Sequence, residues 1–313
     1  QVRDSESVLN LEHLPRSLAI IGAGPIGCEY AGIFNALGVP VTLVESRSRA
    51  LLPVDAELAR RWQKHMEQQG ARFVLDTVVT RVALPPAPGG DVTLTLAGGE
   101  TLAAEVVLVA VGRRGNAGEL NLAAAGLTAA ADGTLAVNDT YQSLVPHIYA
   151  AGDVVGWPAL ASTARAQARR AVAHAFEQGE SPARAVFPLA VYTIPEMAMV
   201  GLSEDDCREQ GLAYAVGRAY FENNPHAQIT GDTSGMLKLV FAPADRRLLG
   251  AQLMCETASD LIHLAAQVLS AGGTLDSFIQ AVYNYPTLSE AYQTAALDGL
   301  ERWQQLHDST PDQ

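Results

Sequence analysis

Three glycines and one carboxylate make the chemically most telling pattern in this 313-residue chain. Gly22-Ala23-Gly24-Pro25-Ile26-Gly27 fits G-x-G-x-x-G, and Glu45 follows 23 residues after Gly22. Glycines at this spacing let a chain turn tightly, bring its backbone against a pyrophosphate, and pack a helix close to a strand. A helix that begins there offers unbonded N–H groups and the positive end of its dipole to an anion. Pro25 suits that start, because an N–H at the first helical position lacks an intrahelical acceptor anyway. Glu45 is spaced to accept hydrogen bonds from a ribose 2′-hydroxyl. The chemistry implied is dinucleotide binding; a glycine-rich turn without function is the alternative.

The elements that must position these residues are legible around them. An apolar strand, SLAII, precedes Gly22, a helical stretch, CEYAGIFNAL, follows Gly27, and a second strand, VTLVE, ends at Glu45. Next comes a helix closing at Gly70, with Leu58, Trp62 and Met66 on its buried face. Strands ARFVL and Val78 to Leu84 follow, then a turn from Pro85 to Gly90, a hairpin, and a buried strand, VVLVAV, running to Gly112-Arg113. Ligands of such sheets sit beyond the carboxyl ends of strands, which places Arg113 and Arg114 for anion contact. A solvated arginine pair is the other reading.

Residues 113 to 185 form a second unit. Its mark is a short strand, HIYAAGD, ending at Gly152-Asp153, followed by a small-residue helix from Ala159 to Phe176. Ala161 and Ser162 would let a flat ligand lie near that helix start, and Asp153 could bind a hydroxylated chain or be a solvated turn residue. From residue 186 onward, four antiparallel strand segments and two helical segments give an α+β module. The first fifteen residues read as polar, irregular, and the end of a preceding segment.

Composition narrows the classes. A net charge of −13 argues against nucleic acid or an anionic membrane as partner. No apolar run is long enough to span a bilayer, and no secretory leader is evident. Cys28, Cys207 and Cys255 form no paired motif, so a cytoplasmic protein with reduced, packed thiols is expected. The seven histidines show no metal-ligand spacing, and no metal is expected.

Five motifs in order, GAGPIG with Glu45, VLVAVGRRGN, HIYAAGDVVGWPALASTA, VYTIPEMAMVG and NYPTLSEAY, resemble the pyridine nucleotide–disulfide oxidoreductase family. The likeness is greatest to its branch that passes hydride from NADPH to NAD through flavin. The resemblance implies an α/β fold in parts: a Rossmann-like NAD(P)-binding domain at 16–112, part of an FAD-binding domain at 113–185, and an α+β dimerisation domain at 186–313, with 1–15 as a linker. It implies FAD, NAD(H) and NADP(H) as cofactors, a homodimer, and two cofactors meeting face to face. By the same resemblance Gly22, Ala23, Gly24, Pro25, Ile26 and Gly27 cradle the nicotinamide-nucleotide pyrophosphate. Glu29 lies near the nicotinamide, or simply favours a helix start. Glu45 holds the adenosine ribose, and Ser46, Val79, Gly112 and Arg113 contact cofactor. Arg47 and Arg49 matter for the 2′-phosphate of NADP, with Arg47 expected to offset its repulsion by Glu45. Gly152 and Asp153 meet the FAD ribityl chain, with Ala161 and Ser162 at the flavin edge. Tyr285, Pro286 and Glu290 reach the partner's flavin, with Tyr285 and Glu290 as the catalytic candidates.

Two departures from the family stand out. The family's N-terminal FAD-binding unit, with its own glycine loop, has no counterpart here, so a truncated form is expected. Disulfide reductases of the family carry His-Pro-Thr where this chain has Tyr285-Pro286-Thr287. A phenol, with an ordinary pKa of about 10, is a poor base at neutral pH. Hydride exchange between nicotinamides needs no thiol proton shuttle, so the tyrosine suits it. A dihydrolipoamide-dehydrogenase-like reductase and a non-catalytic NAD-binding and dimerisation module are the alternatives.

Overall fold

The computed structural model describes residues 1–87, 89–178 and 186–308. Pro88, in the proline-rich turn, lies outside them, as do residues 179–185 and 309–313. The chain forms two compact units, one of residues 1–111 with 186–313, the other of residues 112–185.

In the first unit the elements run β1 (Val2–Arg3), β2 (Leu18–Ile21), α1 (Pro25–Ala36), β3 (Val41–Val44), α2 (Ala56–Gln68), β4 (Arg72–Val74), β5 (Val79–Ala83), β6 (Val92–Leu96), β7 (Thr101–Ala104) and β8 (Val106–Val109). A parallel sheet has the order β1-β8-β2-β3-β4. Its central strands are continuous apolar runs, as expected where both faces are covered. One covering layer is the antiparallel sheet β5-β6-β7, whose Val92, Leu94 and Ala104 pack with Ala19 and Val107 in one buried cluster. Helix α2 buries Leu58, Trp62 and Met66, as its spacing predicts.

Three sequence expectations change here. The N-terminal stretch is not wholly irregular: β1 pairs with Val107 and Leu108 at the sheet edge. Two residues carry no periodicity, so only the tertiary pairing defines that strand. Strand β8 ends at Val109, before Gly112-Arg113, and Gly112 opens the second unit. The segment VYTIPEMAMVG is also not one strand, because Tyr192 to Pro195 separates two antiparallel strands.

Those two strands are β9 (Leu189–Val191) and β10 (Glu196–Gly201); then come α3 (Glu204–Glu209), β11 (Ala215–Tyr220), α4 (Pro225–Thr230), β12 (Met236–Phe241), β13 (Leu248–Cys255), α5 (Ala258–Ser270), α6 (Asp276–Ile279) and α7 (Glu290–Asp308). The antiparallel sheet β11-β12-β13-β10-β9 forms a large buried core with residues of α5, α6 and α7. Helix α7 comes close to β11 because Gly217 and Gly299 face each other; a Cβ on Gly217 would lie 2.0 Å from the Ala295 carbonyl oxygen.

The second unit is mostly turns around one helix, Ala161–Ala175, called αS below. HIYAAGD is not a strand; only an isolated bridge between Gln142 and Tyr149 forms there. The residues are strand-like, but among the described residues no neighbouring strand pairs with them beyond that bridge.

Candidate functional site

The glycine loop joins β2 to α1, and each glycine answers a different demand. Gly22 has φ +99°, and a Cβ there would lie 2.5 Å from the Ala110 carbonyl oxygen. At Gly27 a Cβ would lie 2.0 Å from the Gly22 carbonyl oxygen, so this glycine lets α1 close onto the loop. Gly24 differs: its φ of −74° suits any residue, and a Cβ would meet nothing within 4 Å. Neither conformation nor packing within the chain calls for glycine at 24. The open cradle over it, beside the N–H groups of the first turn of α1, fits the close backbone approach of a pyrophosphate.

Glu45, at the end of β3, is buried, with 8% of its surface exposed. Its Oε2 accepts the Ala23 N–H at 2.8 Å, and its Oε1 accepts from Ser46 Oγ at 3.0 Å and the Arg47 N–H at 3.1 Å. The loop and the acid therefore form one piece: Leu51 N–H donates to the Ala23 carbonyl at 2.8 Å from the other side. A carboxylate offers about four acceptor positions, so three donors leave room for a ribose hydroxyl. The two arginines separate here. Arg49 donates to the carbonyls of Leu51, Leu52 and Val54, and burial lowers its pKa. It braces the 51–54 loop, whereas the Arg47 side chain is exposed beside Glu45.

Glu29 is on α1, and its Oε1 accepts the Tyr192 N–H at 2.9 Å, linking the helix to the break between β9 and β10. The packing use of this carboxylate has no signal in the sequence, since its partner is 163 residues away. Val79 starts β5 and packs against the cluster of Ala19, Val92, Leu94, Ala104 and Val107. Cys28 is wholly buried and its Sγ donates to the Ala23 carbonyl; burial, then Glu45 and Glu29, push its thiol pKa well up. It stays protonated and is part of the packing, as are Cys207 and Cys255, the latter pushed up to about 12 by burial.

A buried ion cluster braces α2, the helix after the Glu45 segment. Asp55 caps α2 by accepting the N–H groups of Glu57 and Leu58 at 2.9 and 3.3 Å. Lys238 of β12, 1% exposed, reaches Asp55, Glu57 and Glu204, each at 2.8 Å. Arg218 adds pairs to Glu57 and Glu204 at 2.9 and 3.2 Å. Burial alone would raise the pKa values of Glu57 and Glu204, but Lys238 and Arg218 outweigh it and hold both down. The signal available in the sequence is a lysine inside the apolar run MLKLVF, which must find partners when buried.

Near the C-terminus, Glu290 opens α7 and its Oε2 accepts the Thr287 N–H at 3.1 Å. Asn224 Nδ2 donates to the Thr287 carbonyl, and Thr287 Oγ1 to that of Asn284. This loop is thus pinned, with Tyr285 73% exposed on it.

In the second unit, Arg113 pairs with Asp153 at 2.9 Å. Gly152 has φ +86° and ψ −157°, and Gly156 φ +86° and ψ −149°, both in a region essentially open only to glycine. Ala161 and Ser162 are exposed on the first turn of αS. An aspartate beside an exposed small-residue helix start suits a hydroxyl-bearing chain and a flat group. Gln167 carries no signal in the sequence, being a polar residue within an alanine- and arginine-rich helix. Its Oε1 accepts the Gly152 N–H at 2.7 Å.

Comparison with known proteins agrees with this architecture. The profile described as pyridine nucleotide-disulphide oxidoreductase matches residues 1–168, and the dimerisation domain of the same family matches residues 187–296. A soluble pyridine nucleotide transhydrogenase of Mycobacterium bovis is 39% identical over 307 residues, 98% of this chain and 65% of the relative. One from a Marinomonas species is 40% identical over 301 residues, 95% of this chain and 64% of the relative. Among solved structures, LpdA of Mycobacterium tuberculosis aligns with a TM-score of 0.87 and 28% identity over 94% of this chain and 64% of that one. The HOCl-induced flavoprotein disulfide reductase RclA of Escherichia coli aligns with a TM-score of 0.87 and 27% identity over 95% of this chain and 68% of that one. The chain thus spans 65% of the length of the M. bovis relative. With an α/β fold, a glycine loop answered by a strand-end glutamate, and matches over most of its length, the chain belongs to the pyridine nucleotide-disulphide oxidoreductase family.

Proposed function

We propose that this chain carries the nicotinamide-nucleotide site, part of the FAD site and the dimerisation domain of an FAD-dependent oxidoreductase that transfers hydride between NADPH and NAD. The observation that carries this reading is the open cradle over Gly24 joined to the buried Glu45. The reading assigns residues 16–112 to NAD(P), 113–185 to FAD and 186–313 to a homodimer interface, with 1–15 as linker. It places the protein in the cytoplasm; among the described residues no helix is long and apolar enough to cross a membrane.

The residues have distinct tasks. The loop Gly22 to Gly27 and the start of α1 bind the pyrophosphate through backbone N–H groups and the helix dipole. Glu45 holds the ribose, with Ser46 and Arg47 N–H fixing its carboxylate. Glu29 fixes the Tyr192 backbone beside α1. Asp153 accepts from ribityl hydroxyls, and Gly112, Arg113, Ala161 and Ser162 shape the surrounding surface. Bound flavin supplies the two-electron relay between nicotinamides, while the protein orients the rings and excludes water. Tyr285 and Glu290 contact the partner's site; neither is needed as a thiol base. The exposed side chains of Val282 and Tyr285 suit burial in a dimer.

Dithiol chemistry is less well supported, because Tyr285, not a histidine, stands before Pro286-Thr287, and a phenol is a poor proton shuttle for a thiol at neutral pH. The deciding experiment is spectroscopic and kinetic. A flavin absorption band, together with NADPH-dependent reduction of thio-NAD, is the expected result. Lipoamide reduction without thio-NAD reduction favours the reductase, and a colourless chain that binds NADH favours the non-catalytic module. Arg47→Ala should weaken NADPH binding about tenfold relative to NADH, as loss of one exposed charge-assisted contact implies. Unchanged relative affinities would remove Arg47 from the selectivity.

A further inference from the structure

We infer that Gln167 is a positioning residue that sets the Gly152-Asp153 turn for binding of a flavin's hydroxylated chain; this rests on the functional reading above. The turn has few supports of its own. Gly152 and Gly156 both hold a positive φ, and the intervening Asp153–Val155 is a single 3-10 turn. Two backbone bonds close it, from Val155 N–H to the Gly152 carbonyl at 2.9 Å and from Gly156 N–H to that of Asp153 at 3.1 Å. A third, from Leu135 N–H to the Val154 carbonyl at 2.8 Å, ties it to the neighbouring loop. None of these uses the Gly152 N–H.

That N–H is taken by Gln167 across 15 residues of sequence, at 2.7 Å and away from solvent. Gln167 itself is 3% exposed, so its side chain is committed to the interior of the unit. The same helix meets the turn again one turn earlier, where a Cβ on Gly152 would lie 3.4 Å from the Ala164 Cβ. Thr163, Gln167 and Ala171 are the buried residues of αS, and the helix start is anchored by Thr163 Oγ1 donating to the Pro158 carbonyl at 2.7 Å. Helix and turn are thus one assembly, with Gln167 as its polar joint. Removing the acceptor leaves a buried N–H without a partner, a cost the turn can relieve only by moving.

The side chain that such a movement would displace is Asp153, the next residue. Its carboxylate pairs with Arg113 at 2.9 Å. Gln167 sets the main chain from which the acceptor oxygens project, while the Arg113 pair is solvent-exposed and holds the side chain only weakly. Gln167 never needs to touch the ligand for this.

The test uses the intact chain with Gln167→Met, Gln167→Glu, Asp153→Asn and the Gln167→Met/Asp153→Asn double variant. Amide exchange of Gly152, measured without added flavin, should accelerate about tenfold in Gln167→Met and stay near wild type in Gln167→Glu, which retains an acceptor. The FAD dissociation constant should rise about tenfold in Gln167→Met, recover in Gln167→Glu, and respond less than additively in the double variant. Unchanged Gly152 exchange in Gln167→Met overturns the inference. So does faster exchange with unchanged FAD affinity, or full additivity with Asp153→Asn. A wild-type chain that binds no FAD overturns the functional reading, and the positioning role with it, even where Gly152 exchange responds.

Discussion

The glycine loop at 22–27 and the Gly152-Asp153 turn would each serve a cofactor, and they are held in contrasting ways. The first sits at the end of a parallel sheet. Gly22 and Gly27 are fitted against backbone atoms, and Ala23 is gripped at both its N–H and its carbonyl. Behind it, Arg49 braces the following loop and the Lys238 cluster braces α2. The second lies in a unit with scarcely any strand, and depends on two positive-φ glycines and one buried glutamine. In one region shape is enforced redundantly by packing; in the other, a few polar contacts carry it.

The largest effect tests the brace behind the first region. Lys238→Met takes the Lys238 pair from buried Asp55 and leaves Glu57 with Arg218 and Glu204 with Arg218 and Arg208, and should cost about 3–5 kcal/mol, read as a fall in Tm at neutral pH. The pH dependence has a definite sign. Glu57 and Glu204 are held below the ordinary carboxylate range, so they stabilise above their unfolded pKa and that contribution is lost as pH falls through the folded values. The wild-type Tm should therefore decline below about pH 4, with a shallower decline in Lys238→Met. Equal acid slopes in the two proteins would separate the cluster from the acid response.

A smaller effect compares the turns directly. Gly27→Ala forces a methyl against the Gly22 carbonyl and should cost about 1–3 kcal/mol of stability by overpacking. Gly152→Ala meets only Ala164 at 3.4 Å, and its cost of about 1–3 kcal/mol comes from backbone conformation instead. Replacing Ala164 with glycine should partly rescue a packing clash but not a conformational one. Rescue of Gly152→Ala by Ala164→Gly would contradict the assignment of its cost to φ.

The same contrast explains what was legible in the sequence. The parallel sheet and α2 could be read because apolar periodicity and turn glycines are local signals: Leu58, Trp62 and Met66 recur at helical spacing, and all are buried. The glycine pattern and Glu45 were readable for the same reason. What depended on distant partners was not. Val2–Arg3 becomes a strand only by pairing with β8. HIYAAGD has strand-like residues but no ladder to join. The bond from Gln167 to Gly152 and that from Tyr192 to Glu29 join residues whose types advertise nothing about each other. Even Arg49, which beside Arg47 resembled a phosphate ligand, is committed to three carbonyls by the fold of the next loop.

The central claim is that the Gly24 cradle exists for a ligand and not for the fold. Gly24→Ala in the intact chain, followed by thermal unfolding and NADH titration, tests it most directly. The expected result is stability within about 1 kcal/mol of wild type, the scale of a helix N-cap change, with NADH affinity lowered about tenfold or more. Unchanged NADH affinity in a stable Gly24→Ala protein would contradict the claim.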